Sequence, residues 1–275
     1  MKIGLFDKNL IKQFASFCAA VTAILSALLI FIDIPETKRI VAGILFLVIL
    51  FVVYLIYWIA ANIRTKVTIR IGQTSVVVKS GDLFESEGLK AIAFNEYFDT
   101  QVDDAIISRA SLNGQVIERY FNDVEHLDKM IAEDKSLKKS ILDDNVPRDV
   151  GKTTKYRLGS SVLIDNEFVL TAFSKFDETN QANLTIQEYV NFLLSFWNEI
   201  NRMYAQRSVT VPVFGDGITR FKNGFEDIDI NELLRIMIWT FKVSKIKFAY
   251  PAKLTIMIHK NKIKQVNLYE LKEKE

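Results

Sequence analysis

Two long runs of apolar residues near the start of the chain constrain its fold more than any other feature. The first run, residues 14–34, carries no charge until Asp33, and the second, residues 40–63, carries none. A membrane-spanning helix needs about 20 consecutive apolar residues, and both runs are long enough. The connector between them is too short for a domain, so we predict a transmembrane helical hairpin. A cleaved signal peptide is the alternative for the first run alone.

Basic residues are concentrated at the outer ends of this hairpin, whereas the connector carries only two, close to acidic residues. Because Lys and Arg accumulate on the cytoplasmic side of a membrane, we predict two spans with both termini cytoplasmic. Residues 1–13 would then be a cytoplasmic leader, either an interfacial helix or a flexible segment. The flanking basic residues are Lys2, Lys8, Lys12, Arg64, Lys66 and Arg70.

The first span has a row of small residues: Ala15, Ala19, Ala23 and Ala27 recur at every fourth position. Such rows let helices approach closely in lipid. We therefore expect this face to pack against other copies of the chain in a homo-oligomer. The alternative is that it packs against the second span within one hairpin.

The rest of the chain is balanced in charge. Of 35 basic and 33 acidic residues, residues 1–63 hold five and three, which leaves 30 of each for residues 64–275. A neutral domain lacks the basic surface typical of nucleic-acid binding. One cysteine and two histidines exclude a disulfide framework and a cysteine-based metal site, and make a multi-histidine metal site improbable. We therefore predict no metal, no cofactor and no nucleic-acid partner.

Residues 66–275 read as strands that alternate with helices, which predicts a three-layer α/β domain with a mixed, largely parallel sheet. Thr185 and Glu188 have the spacing of a capping box at the start of the longest helix. The predicted strands are 66–71, 74–79, 89–94, 160–164, 168–172, 208–213 and 253–259, and the predicted helices are 115–121, 124–134, 185–204 and 230–242.

Two strand ends have the residues expected at a ligand site, because open α/β sheets bind ligands beyond the carboxyl ends of their strands. Residues 211–220 read VPVFGDGITR, and their glycines let successive backbone amides cradle a phosphate. Residues 80–84 read SGDLF, where Asp82 is placed to accept a hydrogen bond from an adenine amine. Ordinary turns are the alternative at both places, with Asp82 as a capping residue.

These segments together resemble a macro domain, the α/β fold that binds ADP-ribose. Residues 77–84 are similar to the opening strand and Gly-Asp-Ile element of that family, and residues 91–95 are similar to the strand that leads into its asparagine motif. Residues 211–220 are similar to its late glycine-rich loop. With paired apolar helices ahead of them, the whole chain resembles the transmembrane–macro effectors of bacterial Thoeris anti-phage systems. The segments FNEYFDT, AFSKFD and GDGITR, which begin at residues 94, 172 and 215, carry that closer likeness.

The resemblance implies an effector in the bacterial inner membrane that binds a messenger derived from ADP-ribose. A TIR-domain partner protein would make this messenger, a histidine–ADP-ribose conjugate in this branch, and binding would drive the membrane helices to oligomerise and disrupt the bilayer. The ligand-binding residues implied are Asp82, Leu83, Asn95, Glu96, Asp99, Phe214, Gly215, Asp216, Gly217, Ile218, Thr219 and Arg220.

The loop FNEYFDT departs from the asparagine-rich loop with which macro-domain hydrolases position water. Neither candidate loop contains a histidine that would act as a base. We therefore predict binding without turnover and no catalytic residue, with the loops at 95–100 and 214–220 closing over the ligand. The alternative is a membrane-tethered ADP-ribosyl hydrolase or other nucleotide-processing enzyme, in which Glu96 or Asp99 acts as general base.

Overall fold

The computed structural model describes residues 3–32 and 34–272. Residues 1–2 of the predicted leader, Asp33 of the predicted first span and residues 273–275 of the predicted macro-like domain lie outside this part. The N-terminal hairpin consists of helix α1 (Lys8–Leu29) and helix α2 (Glu36–Ile63). Helix α1 begins within the predicted leader because the Asp7 side chain accepts hydrogen bonds from the amides of Asn9 and Leu10. Such a cap satisfies amides that the first helical turn leaves without partners.

Both helices of the hairpin are long and apolar enough to cross a membrane. Length and composition are weak grounds by themselves, but α2 leaves large apolar side chains exposed along its length, which a core helix of a soluble protein would bury. The row of alanines on α1 is also exposed. It does not pack against α2; aromatic contacts of Phe14 and Phe17 with Tyr54 and Tyr57 join the two helices instead.

The base of the hairpin is a small hydrophobic cluster. Ile3, Leu10, Ala61 and Tyr269 are buried in it, so the end of the described chain packs against its beginning. Trp58 supports this cluster by donating from Nε1 to the carbonyl of Ile3 over 3.0 Å. The residues from Lys264 onward accordingly belong to the same compact unit as the hairpin, and Thr68–Ile263 form a separate compact unit.

The second unit is built on a nine-stranded sheet in the order β1-β2-β11-β9-β3-β7-β8-β10, with β6 paired to β7. Pairing is parallel through β2, β11, β9, β3 and β7, whereas β7 is antiparallel to both β6 and β8. This confirms the predicted mixed, largely parallel sheet. The strands of this sheet are β1 (Lys66–Ile71), β2 (Thr74–Gly81), β3 (Leu89–Asn95), β6 (Ser161–Ile164), β7 (Phe168–Phe176), β8 (Ala182–Thr185), β9 (Val209–Pro212), β10 (Arg220–Lys222) and β11 (Leu254–His259).

Helices cover both faces of the sheet. One face packs against the first three helices of the domain around a core that contains Ile92, Phe94 and Leu170. The other face packs against α6 and α7, where an aromatic group around Phe173, Phe192 and Phe196 fills the interior. The helices are α3 (Leu112–Tyr120), α4 (Val124–Glu133), α5 (Lys135–Lys138), α6 (Ile186–Met203) and α7 (Ile230–Ser244), followed by 3-10 turns at Ile263–Gln265 and Glu270–Lys272.

The sequence prediction missed several short elements. The polar stretch after α4 contains α5 and a small two-stranded sheet, β4 (Ile141–Asp143) with β5 (Lys155–Tyr156). The sequence prediction also lacked strands β8 and β10. All are four residues or shorter, so their sequences carry too few periods of alternation to be recognised. The longer predictions hold, including the capping box of Thr185 and Glu188 on α6.

Candidate functional site

A cavity of about 440 Å³ lies where several parallel strands of the sheet end. Its walls come from the segments that follow β2, β3, β9 and β11, together with the start of α3. The topology predicts this location, since the carboxyl ends of parallel strands meet at one edge of a sheet. Of the predicted site residues, the cavity brings together Asp82, Leu83, Asn95, Phe214, Gly215, Asp216, Gly217, Ile218 and Thr219.

The residues of the glycine-rich loop at 214–219 line this cavity. Asp216 donates its amide to the carbonyl of Val213 over 3.4 Å. Within the part of the chain that the structure describes, the amides of Gly215, Gly217, Ile218 and Thr219 have no protein acceptor. Consecutive amides without partners in a turn form a concavity that favours an anion.

The loop is anchored on α6 by a buried hydrogen bond. The hydroxyl of Tyr189 donates to the carbonyl of Phe214 over 2.9 Å, and the Phe214 ring packs against Phe173 and Phe192. Gly215 has a φ of 87°, and a Cβ there would lie 2.9 Å from the ring of Phe221. The start of the loop therefore requires glycine, and its backbone position is fixed by the core beneath it.

Replacing Tyr189 by Phe tests this anchor. The variant leaves the buried carbonyl of Phe214 without its donor, which costs about 1–3 kcal/mol of unfolding free energy. Thermal unfolding of parent and variant measures the loss. Tyr204→Phe is the control, because the Tyr204 hydroxyl donates to the Lys247 carbonyl at an exposed site. Equal stability of the two variants would contradict the anchoring role.

Opposite charges face each other across the loop. The Asp216 carboxylate lies 3.2 Å from the Lys262 ammonium, which follows β11 and also lines the cavity. Burial raises the pKa of Asp216, and the hydrogen bond and charge of Lys262, with His259 nearby, only partly offset this effect. A ligand phosphate would therefore meet both a cation and a carboxyl group that is readily protonated.

This electrostatic arrangement predicts a pH dependence of binding. A raised pKa means that Asp216 takes up a proton before an ordinary carboxyl as the pH falls, and its repulsion of an anionic ligand then disappears. We expect affinity for ADP-ribose to rise as the pH falls towards that raised pKa, because protonation of Asp216 removes its repulsion of the anionic ligand.

The matched variant is Asp216→Asn, which should bind more tightly at neutral pH and with a flatter pH profile. Calorimetric titration of both proteins across the pH range measures the difference. If the affinities of the parent and of Asp216→Asn change with pH in parallel, Asp216 does not interact electrostatically with the ligand.

Asn95 reaches the cavity from the end of β3, where hydrogen bonds fix its side chain. Its Oδ1 accepts from the amides of Tyr97 and Asp99 over 3.0 and 3.1 Å, and its Nδ2 donates to the Asp99 carboxylate over 2.8 Å. The structure describes a partner for only one of the two Nδ2 protons, so the other is available to a ligand. Asn95 thus has a set orientation before any ligand binds.

Asp99, in turn, is held by a buried ion pair. Arg148 donates to it over 2.9 and 3.2 Å, and the two side chains are 9% and 1% exposed. The guanidinium also lies 3.9 Å from the centre of the Tyr97 ring, and the amide of Lys152 donates to Asp99 over 2.7 Å. The segment 148–152 therefore clamps the loop that positions Asn95.

The structure does not place Glu96, Asp99 or Arg220 in the cavity wall. Glu96 is 2% exposed and lies 3.4 Å from Lys155; burial raises its pKa, which that lysine partly offsets. Arg220 donates to Gln181 over 2.6 Å and lines a neighbouring cavity of about 500 Å³ that shares the glycine-rich loop. Residues 95–100 are all buried, and of these six residues Asn95 is the one that lines the cavity. The closing movement expected from the sequence stays a prediction.

A family model for the macro domain of Thoeris protein ThsA matches residues 76–259. Thoeris protein ThsA of Bacillus amyloliquefaciens (strain Y2) is 42% identical over 272 residues, which cover 97% of this chain and 90% of that protein. The chain belongs to the ThsA family.

Among solved structures, two of the Oceanobacillus iheyensis macrodomain are similar to this member of the ThsA family. The one with ADP has a TM-score of 0.47 at 10% identity and covers 75% of this chain and 94% of its own. The one with MES bound has a TM-score of 0.45 at 12% identity, with coverages of 75% and 96%.

Sequence reasoning missed several cavity residues of this ThsA-family chain, and the clearest case is His259. The absence of histidine from the two candidate loops was taken to weigh against catalysis, yet His259 lines the cavity from the end of β11. Its Nδ1 accepts from the amide of Asn261 over 3.3 Å, which requires the tautomer with the proton on Nε2. Its place at the end of a parallel strand was the signal that would have found it. Asn113, Lys260 and Lys262 also line the cavity.

Proposed function

We propose that this ThsA-family protein binds a messenger derived from ADP-ribose in the cavity beside the glycine-rich loop. The observation that carries the proposal is the run of amides at Gly215, Gly217, Ile218 and Thr219 that lack protein acceptors and line the cavity wall. A diphosphate offers the charge and the acceptor oxygens that such a turn binds. Lys262 adds a cation at the same wall.

The two ends of the cavity suit the rest of such a ligand. Asp82 uses Oδ1 to accept from the amide of Phe84 over 2.9 Å, so it caps a turn and still presents a carboxylate for an adenine amine. Asn95 offers its second Nδ2 proton to a ribose hydroxyl. The identity of the conjugated group as histidine, and its synthesis by a TIR-domain partner, rest on the likeness to Thoeris effectors.

The hairpin supports a role at the bacterial inner membrane. Helix α2 exposes apolar side chains over its length, and α1 exposes its row of alanines, a face suited to close helix contact in lipid. In this proposal, messenger binding shifts the protein towards an oligomer whose helices disrupt the bilayer. A ligand can do this only through different affinities for the two states, and a change from 1:99 to 99:1 takes about 5.5 kcal/mol.

The deciding experiment is a titration of the full chain in detergent with ADP-ribose and with histidine–ADP-ribose, followed by analysis of the recovered ligand. We expect heat of binding, an intact ligand and an increase in particle mass with the conjugate. In vesicles that contain the protein, the conjugate should release a trapped dye. If neither ADP-ribose nor histidine–ADP-ribose binds, the proposal is overturned.

A second candidate function is hydrolysis of an ADP-ribosyl bond. His259 favours it, because it brings a proton-transfer group to the cavity that the sequence-based argument did not include. The analysis of the recovered ligand separates the two functions, since an enzyme converts a saturating ligand and a receptor returns it unchanged. His259→Gln should leave the ligand equally intact if the protein is a receptor.

A further inference from the structure

The start of α3 holds a buried amide oxygen for which the protein supplies no partner. Asn113 is 5% exposed, its Oδ1 is fully buried, and no described residue donates to that atom. The same residue lines the 440 Å³ cavity. Native proteins leave few buried polar atoms unsatisfied, because each such atom loses its hydrogen bonds to water without replacement.

The backbone around Asn113 is held by a helix cap and by close packing. Ser111 caps α3 by accepting from the amide of Gly114 over 3.0 Å. A Cβ at Gly114 would lie 2.3 Å from the carbonyl oxygen of Ser108, so the helix start packs directly on the preceding turn. The Asn113 side chain therefore leaves the backbone at a fixed point of the cavity wall.

Neighbouring polar groups of the cavity wall are engaged elsewhere. The Ser111 hydroxyl donates to the carbonyl of Ser108 over 2.6 Å, and Gln115 donates from Nε2 to the carbonyl of Ala110 over 3.0 Å. In this arrangement the described chain gives Asn113 Oδ1 no donor, and a bound ligand would supply one. Leucine has nearly the same shape as asparagine and would fill this place without an unsatisfied atom.

We propose that Asn113 is a specificity-determining residue whose Oδ1 accepts a hydrogen bond from a hydroxyl or amine of the bound ligand. This inference rests on the proposed function and deepens it, since it assigns the recognised group to a class. A phosphate oxygen at neutral pH has no proton to donate and does not satisfy Asn113. The ribose hydroxyls and the base amine of an ADP-ribose derivative do.

The test uses Asn113→Leu in the full chain in detergent, with ADP-ribose as the probe. Removing an unsatisfied polar atom should leave the melting temperature of the unliganded protein equal to or above that of the parent. Affinity for ADP-ribose should fall about tenfold, the loss expected for one hydrogen bond. Asn191→Leu is the matched control, because it makes the same change at an exposed helical position outside the cavity lining. Its melting temperature and its affinity for ADP-ribose should both equal those of the parent.

A lower melting temperature for Asn113→Leu would indicate a structural role for Asn113. Asn113→Ala, which adds no side-chain bulk, then decides: the inference stands if this variant keeps the stability of the parent and loses the affinity, and it is overturned otherwise. Unchanged affinity in both variants would also overturn it. The parent protein is titrated first. If it binds neither ADP-ribose nor histidine–ADP-ribose, the proposed function fails as a whole; if it binds and the Asn113 variants bind equally well, only the inference about Asn113 fails.

Discussion

Replacing Gly217 by valine is expected to lower the affinity for ADP-ribose by about a hundredfold while leaving the melting temperature unchanged. A Cβ at Gly217 meets no protein atom within 4 Å, and its φ is not in the left-handed region. The valine side chain therefore meets no protein atom in the unliganded protein, but it occupies space that the proposed diphosphate would need beside the loop. Overpacking of this kind costs about 1–3 kcal/mol, and calorimetric titration measures it.

Gly215→Val is the contrasting variant on the same loop. Its Cβ would lie 2.9 Å from the Phe221 ring, at a φ of 87°, so this change should lower stability as well as binding. The pair separates an effect on the ligand from an effect on the fold. Normal ADP-ribose binding by Gly217→Val would remove the glycine-rich loop from the proposed site.

Replacing Arg148 by methionine is expected to produce the largest loss of stability, about 3–5 kcal/mol. The change leaves the Asp99 carboxylate, which is 1% exposed, without the guanidinium that neutralises it. For a domain of this size the melting temperature should fall by about 10 °C. Affinity for ADP-ribose should fall too, because Asn95 takes its orientation from Asp99.

Arg109→Met is the control for this prediction. Arg109 pairs with Asp104 and Glu118 over 2.8 and 3.0 Å, but these side chains are about half exposed, so the melting temperature should remain close to that of the parent. The double variant Asp99→Asn with Arg148→Met removes both buried charges and should recover part of the stability. Equal losses for Arg109→Met and Arg148→Met would show that the buried pair has no special role.

The sequence was sufficient wherever a single segment carries its own signal. The apolar runs predicted both hairpin helices, and the alternating apolar strands predicted most of the sheet. Asp82 and the glycine-rich loop were found because strand ends are local features and parallel strands meet at one edge. The macro-like segments in their order along the chain also predicted the fold family.

Prediction failed where a residue depends on a partner far along the chain. Asp99 and Glu96 are next to Asn95 in sequence and were placed with it in the site. Arg148, 49 residues from Asp99, instead draws that carboxylate into a buried ion pair. Glu96 pairs with Lys155. Nothing in the FNEYFDT segment indicates these partners, so the sequence alone does not predict that the loop is buried.

The sequence by itself determined the two apolar helices, the α/β domain and the place of the glycine-rich loop after a strand, since each follows from the spacing of residues along one segment. Only the tertiary structure decided that residues 95–100 are buried, that His259 and Asn113 join the cavity, and that the alanine row of α1 remains exposed. The physical reason is that burial and pairing depend on which segments meet in space. Whether a carboxylate or an amide is available to a ligand depends on the partners that folding brings to it.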